Sequence, residues 1–243
     1  MTNKLFPDPI PPVQEWSGQT PYVCILMDPN WNERGGGKIK RGADRHYPVM
    51  KTPDIRDLIL SSGAFQPAQD AHLWMWATNN YLADALWLYE QLGFRYQTNF
   101  PWVKGKLEKI KATVDGQDRS ILEYRHGKMG IGQYGRGCHE LLMFGVKGRG
   151  FNACTVYPEG HPKAGKMRRD IRTDWLVGKP HERDPSTGKV IHSRKPRAQY
   201  ELIDARTKAG PRLEMFARTR HSDAWDVWGN EAPSVISQAS TST

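Results

Sequence analysis

Six apolar and β-prone residues, Tyr22–Met27, are followed immediately by Asp28, Pro29, Asn30 and Trp31. A short apolar run of this kind is typical of a strand buried on both faces of a sheet. Ligands of open α/β sheets collect at the carboxyl ends of strands, so we expect chemistry at these four residues. A carboxylate, a stiff turn and an indole suit the binding of a flat base that carries an amine. The alternative is an Asx-type turn whose tryptophan fills the core, and these residues alone do not decide between the two.

The charge balance of the chain predicts a polyanionic partner. The 243 residues carry 35 Lys and Arg against 26 Asp and Glu, for a net charge of +9. This length suffices for one large or two small domains with a substantial core. No apolar run approaches the roughly 18 residues that span a bilayer, and no secretory signal is visible. We therefore expect nucleic acid, and not a membrane, as the partner.

The three cysteines are an odd number and lie far apart, at Cys24, Cys138 and Cys154. This usage predicts reduced thiols in a cytoplasmic compartment. The spacing of the cysteines matches no zinc pattern, and the eight histidines are scattered. We therefore expect no metal.

Strands and helices alternate along the predicted domain. A helix begins near Thr52, which we interpret as its cap, with Pro53 in the first turn. A second helix, 80–92, lies between two strands and ends at Gly93, and a third covers 196–205. Strand, helix and strand at this spacing predict a βαβ crossover and hence a parallel sheet. The predicted strands after the first are 71–76, 94–103, 140–146, 212–217 and 224–228.

Composition divides the chain into three parts: a proline-rich arm at 1–21, a domain at 22–232 and a disordered tail at 233–243. Within the domain, a glycine-rich basic loop at 32–44 and a polar stretch at 104–137 are predicted to lack regular structure.

A further basic segment covers 147–197 and holds 13 Lys and Arg against 5 Asp and Glu, and we interpret 147–191 as an insertion. Basic residues interleaved with aromatics can follow a phosphate backbone and stack on bases, although solvated loops are the alternative. The candidate nucleic-acid contacts in these loops are Lys38, Lys40, Arg41, Lys104, Lys106, Arg168, Arg169 and Arg172.

Four segments in a fixed order carry a family resemblance. The first is Asp28-Pro29-Asn30-Trp31, and the second combines 73–79 with 93–96 and 102–104. The third is 192–196, which contains Lys195, and the fourth runs from Glu214 through Trp228 to Glu231. Together they resemble the MT-A70 family of S-adenosylmethionine-dependent N6-adenine methyltransferases, over roughly residues 20–232.

The resemblance implies an α/β, Rossmann-like methyltransferase fold with permuted motif order. Its sheet would be mostly parallel, with helices on both faces. It implies S-adenosyl-L-methionine as the cofactor and Asp28, Pro29, Asn30 and Trp31 as the catalytic residues. Asp28 and the Pro29 carbonyl would accept hydrogen bonds from the adenine amine, while Trp31 would stack on the base. The cofactor would be held by Asp28, Lys195, Glu214, Phe216, Arg218 and Asn230.

These roles are chemically reasonable. The adenine amine is a poor nucleophile because its lone pair is delocalised, and acceptors on its protons favour the form that can attack. Alignment of the reacting atoms can contribute about 7–11 kcal/mol, and a base in a duplex must first be flipped out.

Asn30 departs from the family pattern, which usually has a second proline there. The compact chain resembles a bacterial or phage DNA enzyme, acting in the cytoplasm as a monomer or homodimer. Methylation of RNA adenosine, or a non-catalytic relative that only binds nucleic acid, are the alternatives.

Overall fold

The computed structural model describes residues 18–32, 49–126, 137–149, 160, 162–166, 176–178, 182–183, 190–191 and 195–229. Most of the predicted arm, the loop after Asn32, the tail and most of the basic insertion lie outside these residues. The described elements are, in chain order, β1 (Tyr22–Met27), α1 (Thr52–Ser61), β2 (Pro67–Ala77), α2 (Leu82–Gln91), β3 (Arg95–Val114), β4 (Gln117–His126), β5 (His139–Lys147), β6 (Leu176–Gly178), β7 (Glu182–Arg183), β8 (Val190–Ile191), α3 (Ala198–Asp204), β9 (Arg212–Met215) and β10 (Trp225–Trp228).

One sheet dominates the described part of the chain. Its strands lie in the order β10-β9-β1-β2-β5-β3-β4, with β6 beside β3. Strands β10, β9, β1 and β2 are parallel to one another, whereas β5 is antiparallel to both β2 and β3. The predicted α/β, Rossmann-like architecture is confirmed.

The predicted crossover needs one correction. Strands β2 and β3 run in the same direction on either side of α2, but β5 lies between them and pairs with both. The local pattern of strand, helix and strand was read correctly. This local pattern does not predict that β5 lies between β2 and β3, because strand pairing depends on contacts between residues that are remote in the chain.

Alternating side chains of the central strands feed two separate hydrophobic clusters. In β1, Ile25 and Met27 belong to the first cluster, whereas Cys24 and Leu26 belong to the second. The first cluster includes residues of α1 and α2, and the second includes Ile203 of α3. The alternation follows from the two-residue period of a strand. The central strands are therefore buried on both faces, so residues that contact a ligand are expected at the strand ends and in the loops.

Helix α1 begins one residue away from the predicted position. Lys51 is the N-cap, and Thr52 is the first helical residue with Pro53 directly after it. The hydroxyl of Thr52 donates a hydrogen bond to Asp84 of α2 and does not cap its own helix. The predicted helix at 80–92 is divided into a 3-10 turn, Asn79–Tyr81, and α2.

The prediction that 104–137 lacks regular structure is wrong for most of its length. Strand β3 continues to Val114, and β4 runs back beside it from Gln117. The two-residue turn between them is Asp115-Gly116, with positive φ of 52° and 74°. Asp-Gly is a preferred sequence for this kind of hairpin turn because both positions require a left-handed backbone. The hairpin was not predicted because its strands are rich in charged residues, which are uncommon in strands.

Both described cysteines, Cys24 and Cys138, are free thiols. None of the helices described here is long and apolar enough to cross a membrane.

Candidate active site

A chain of four alternating charges lies at the end of β1. Lys195 Nζ is 3.0 Å from Asp28 Oδ1 and 2.8 Å from Glu140 Oε2. The other oxygen of Glu140 pairs with the ammonium group of Lys104. The side chains of Lys195 and Glu140 are each 13% exposed, whereas that of Asp28 is 34% exposed. The cluster is thus neutral as a whole and most open to solvent at its two ends, Asp28 and Lys104, the latter 25% exposed.

The sheet topology brings these four residues together. Asp28 follows the carboxyl end of β1, and Lys195 precedes α3. Glu140 lies near the amino end of β5, which is antiparallel and therefore begins at the edge where β2 ends. Lys104, on β3, is held beside it by a backbone hydrogen bond from its amide to the Cys138 carbonyl. A residue at the start of an antiparallel strand is thereby placed at the carboxyl ends of the parallel ones.

Burial and neighbouring charges together shift the pKa values of Glu140, Lys195 and Asp28. Burial by itself would raise the pKa of Glu140, but the ammonium groups of Lys195 and Lys104 outweigh burial and hold it at about 2. Burial would lower the pKa of Lys195, and the carboxylates of Asp28 and Glu140 instead hold it above its ordinary value. Loss of solvation raises the pKa of Asp28, with Lys195 opposing the shift and Glu140 adding to it. Asp28 is thus the carboxylate of the cluster that takes up a proton most readily.

Trp31 is held firmly by its surroundings. Its indole N–H donates to the Trp76 carbonyl at 3.0 Å, and one ring face stacks on Tyr81 at a centroid distance of 5.5 Å. The side chain is buried, with the residue only 6% exposed. The interpretation of Trp31 as a residue that fills the core therefore describes part of its role. Stacking on a substrate base remains a prediction, and it concerns the ring face opposite Tyr81.

The backbone of the turn between Asp28 and Trp31 is fixed by two hydrogen bonds. The Trp31 amide donates to the Pro29 carbonyl at 2.8 Å, and the Met50 amide donates to the Asn30 carbonyl at 2.9 Å. A carbonyl oxygen has two lone pairs, so Pro29 can accept one further hydrogen bond. Asn30 closes this turn without the proline that the family pattern has at its position.

A second carboxylate lies on the neighbouring strand β9. Glu214 Oε2 accepts a hydrogen bond from the Tyr200 hydroxyl at 2.8 Å. Burial raises the pKa of Glu214 and the hydrogen bond from Tyr200 opposes it, and with a further rise from the charge of Asp28 the net value is about 7. Because Leu26 of β1 pairs in register with Glu214, the two carboxylates lie at one edge of the sheet.

The chain reverses sharply after β9. Phe216 has a positive φ of 62°, and the Ala217 amide donates to the Trp228 carbonyl at 3.1 Å. A Cβ atom at Gly229 would collide with the Ala217 carbonyl, so only glycine fits beside this reversal. Arg218, which follows it, is exposed and near enough for its charge to lower the pKa of Asp28.

The predicted site residues thus divide into three groups. The structure brings Asp28 and Lys195 into contact, and it places Arg218 near enough to lower the pKa of Asp28 and Asp28 near enough to raise that of Glu214. Lys104, predicted as a nucleic-acid contact, pairs with Glu140 inside the cluster, and Lys106 pairs with Glu108. The residues that lie outside the described part are Lys38, Lys40, Arg41, Arg168, Arg169, Arg172 and Asn230.

The sequence patterns assigned no role in the site to four of its residues: Glu140, Tyr200, Tyr81 and Trp76. Trp76 contacts Lys195, whose ammonium group lies 5.4 Å from the ring centroid. Glu140 was read only as part of a strand. Its charge at the start of an otherwise apolar strand is the sequence feature that could have indicated a role in the site. Among the described residues, no group of three or more His, Cys, Asp or Glu is placed to hold a metal ion.

Comparisons with known proteins place the chain in a family. The family model described as MT-A70 matches residues 22–231. A curated protein from Mycoplasma sp, "Type II methyltransferase M.MunI", is 25% identical over 248 aligned residues, which cover 91% of this chain and 84% of that protein.

Proposed function

Because the chain belongs to the MT-A70 methyltransferase family, we propose that it transfers a methyl group from S-adenosyl-L-methionine to the N6 amine of adenine in DNA. The contact between Asp28 and Lys195 carries this proposal. It unites the predicted substrate-binding and cofactor-binding segments, which lie far apart in the sequence. The basic charge of the chain suits a nucleic acid, and its likeness to a Type II methyltransferase favours DNA over RNA as the substrate.

The residues at the edge of the sheet fit a cationic methyl donor. Asp28 and Glu214 both have raised pKa values, partly because each lacks full solvation. A positive charge brought between them would stabilise their ionised forms. S-adenosylmethionine supplies an activated methyl group on a sulfonium, so no metal is required for the transfer. Lys195, which donates to Asp28 and Glu140, retains a third donor for the carboxylate of the cofactor.

The residues of the turn prepare the adenine amine. Asp28 accepts a hydrogen bond from one amine proton, and the remaining lone pair of the Pro29 carbonyl accepts the other. Lys195 keeps Asp28 oriented through the 3.0 Å contact and supports its ionised form. The two hydrogen bonds of the turn hold both acceptors in place before the substrate arrives. Preorganisation of this kind reduces the cost of alignment during the reaction.

Trp31 forms the wall of the base pocket in this proposal. Its contact with Tyr81 and its hydrogen bond to Trp76 fix the plane of the ring. A flipped adenine then stacks on the ring face opposite Tyr81, and gains a contact that offsets part of the cost of unstacking. The rigidity of the wall sets the angle at which the amine meets Asp28.

The direct test supplies methyl-labelled S-adenosylmethionine together with DNA or RNA and identifies the labelled nucleoside after digestion. Label in N6-methyldeoxyadenosine is the expected result. Label in adenosine would assign the same chemistry to RNA. Absence of label, with DNA binding retained, would leave a non-catalytic nucleic-acid-binding protein and reject the proposal.

The stability of the protein is expected to depend on pH through Glu214. Its pKa is about 7 in the folded chain and near 4.5 for an ordinary glutamate. Stability from a raised pKa is fully present below the lower of these values and is lost as pH rises through the higher one. The free energy of unfolding should therefore fall between about pH 4.5 and 7, and Glu214→Gln should flatten this part of the curve. Denaturant unfolding of both proteins at intervals of pH measures it, and parallel curves would contradict the assignment.

A further inference from the structure

The long hairpin of β3 and β4 carries two different faces. We define the ribbon as residues 105–114 of β3 together with Gln117–His126. Directly opposed residues of paired strands share a face. One face, which we name the reading face, therefore holds Leu107, Lys109, Lys111, Ser120, Leu122 and Tyr124. The opposite face, the back face, holds the charged residues Lys106, Glu108, Arg119, Glu123 and Arg125 together with Gln117 and the apolar residues Ile110, Ala112, Val114 and Ile121.

The carboxylates of the back face are already paired. Glu108 contacts both Lys106 and Arg125, and Arg125 Nε also lies 3.0 Å from Glu123. On the reading face, Lys109 and Lys111 are exposed and form no ion pair with any residue in the described part of the chain. The one acidic residue on that side, Asp118, accepts a hydrogen bond from Thr113. The hydroxyl of Thr113 is neutral and leaves the charge of Asp118 in place, so the two lysines outnumber the one carboxylate and the reading face keeps a small positive net charge.

The same face also exposes apolar side chains. Leu107 is 47% exposed and Leu122 is 68% exposed, and Leu122 lies directly opposite Lys109. Exposed leucines between lysines and a serine give a surface that combines apolar contacts, hydrogen bonds and positive charge. Such a mixture matches the major groove of DNA, which presents thymine methyl groups and base-edge acceptors between two rows of phosphates.

The size and position of the ribbon also suit a duplex. Ten residues at about 3.3 Å each give a ribbon roughly 30 Å long, comparable with one turn of B-DNA at about 34 Å. The major groove admits a two-stranded ribbon. The ribbon starts directly after Lys104, which pairs with Glu140 in the charge cluster. A duplex along the reading face would thus pass beside the site at its near end.

We propose that the reading face enters the major groove of duplex DNA next to the target base and contributes to sequence recognition. This inference rests on the proposed function, which makes DNA the substrate. What it adds is the surface of the protein that recognises the DNA sequence. Lys109 and Lys111 contact phosphates or guanine edges, whereas Leu122 packs against base edges. Tyr124, whose hydroxyl donates to the Lys104 carbonyl at 3.2 Å, braces the ribbon at its base.

The first test compares two double variants with equal loss of charge. Lys109→Ala with Lys111→Ala removes two cations from the reading face, and Lys106→Ala with Arg119→Ala removes two from the back face. Binding of a fluorescent random-sequence duplex is measured without cofactor at several salt concentrations. The reading-face variant should lower the slope of log affinity against log salt by about 2, which is roughly a tenfold smaller loss of affinity between 50 and 200 mM salt. The back-face variant should change the slope much less.

The second test concerns base readout. Leu122→Ser should broaden the set of sequences recovered by selecting bound duplexes, with the salt slope unchanged. Leu60→Ser is the matched control, because Leu60 is similarly exposed, at 54%, but lies on α1.

Equal slopes for the two double variants, or an unaltered set of sequences for Leu122→Ser, would overturn the proposal. Loss of self-association by the reading-face variant, with DNA binding intact, would overturn it too and assign the face to a second copy of the chain. Because these tests measure binding, they can succeed in a protein that transfers no methyl group. They can equally fail in one that does, so the two proposals are separable.

Discussion

Replacement of Asp28 by alanine is expected to lower methyl transfer by roughly a thousandfold, with cofactor binding still measurable. In the proposed function, Asp28 is the acceptor that prepares the amine of the base, and its side chain is 34% exposed whereas that of Glu140 is 13% exposed. Glu140 cannot replace it, because its two oxygens are held by Lys195 and Lys104.

The fold should tolerate this change. Lys195 keeps its 2.8 Å contact with Glu140 when Asp28 is removed, so no buried ammonium is left without a partner. Asp28→Asn is the matched control, since it preserves shape and one acceptor but removes the charge, and its activity should lie between those of the two other proteins. Single-turnover rates with saturating cofactor, together with thermal unfolding, separate catalysis from folding. Turnover near that of the unchanged protein in a well-folded Asp28→Ala would remove Asp28 from its assigned role.

Replacement of Lys195 by alanine is expected to damage both stability and cofactor binding. The substitution leaves Asp28 without its ammonium partner and removes one of the two partners of Glu140. Removing one member of a buried ion pair typically costs about 3–5 kcal/mol. The free energy of unfolding should fall by about 3 kcal/mol, and the dissociation constant of S-adenosylmethionine should rise.

The pH dependence of this loss identifies its cause. Without Lys195, the pKa of Asp28 in the folded chain should rise further, because Lys195 is the main group that now lowers it. A raised pKa gives stability that is present at low pH and lost as pH increases. The difference in stability between Lys195→Ala and the unchanged protein should therefore be smaller at pH 5 than at pH 8.

A double variant provides the control for Lys195. Asp28→Asn in the Lys195→Ala background removes the carboxylate that has lost its ammonium partner, whereas Glu140 keeps Lys104, so this change should recover part of the lost stability. Cofactor affinity should stay weak in both variants if Lys195 contacts the cofactor directly. An unchanged dissociation constant in Lys195→Ala would contradict that contact, while a stability loss that is independent of pH would contradict the electrostatic explanation.

Local patterns in the sequence predicted the central strands of the sheet well. Tyr22–Met27 was identified as a buried strand because it is short, apolar and bounded by Asp28-Pro29. The helix ending at Gly93 was predicted from its stop signal, and the strands near 71–76 and 140–146 were placed to within a few residues at their ends. These features depend on residues that are close together in the chain, so they can be recognised in the sequence.

The hairpin of β3 and β4 shows where such patterns can mislead. Its strands are rich in lysine and glutamate, which argues against a strand on composition. Pairing across the hairpin and the Asp115-Gly116 turn outweigh that composition. A strand is stabilised by pairing with its partner strand. The composition of one segment carries no information about that partner, so it can fail to predict the strand.

The sequence alone determined that this chain would build a buried α/β sheet with an acidic turn after its first strand, and it identified Asp28 and Lys195 as members of one site through a family pattern. Only the tertiary structure decided what surrounds them. It gave Lys195 a second partner in Glu140, covered one face of Trp31 with Tyr81, and set Lys109 and Leu122 side by side on an exposed ribbon. The physical reason is that burial and charge act through distances in space, and those distances follow from strand order and register, which join residues that are remote in the chain.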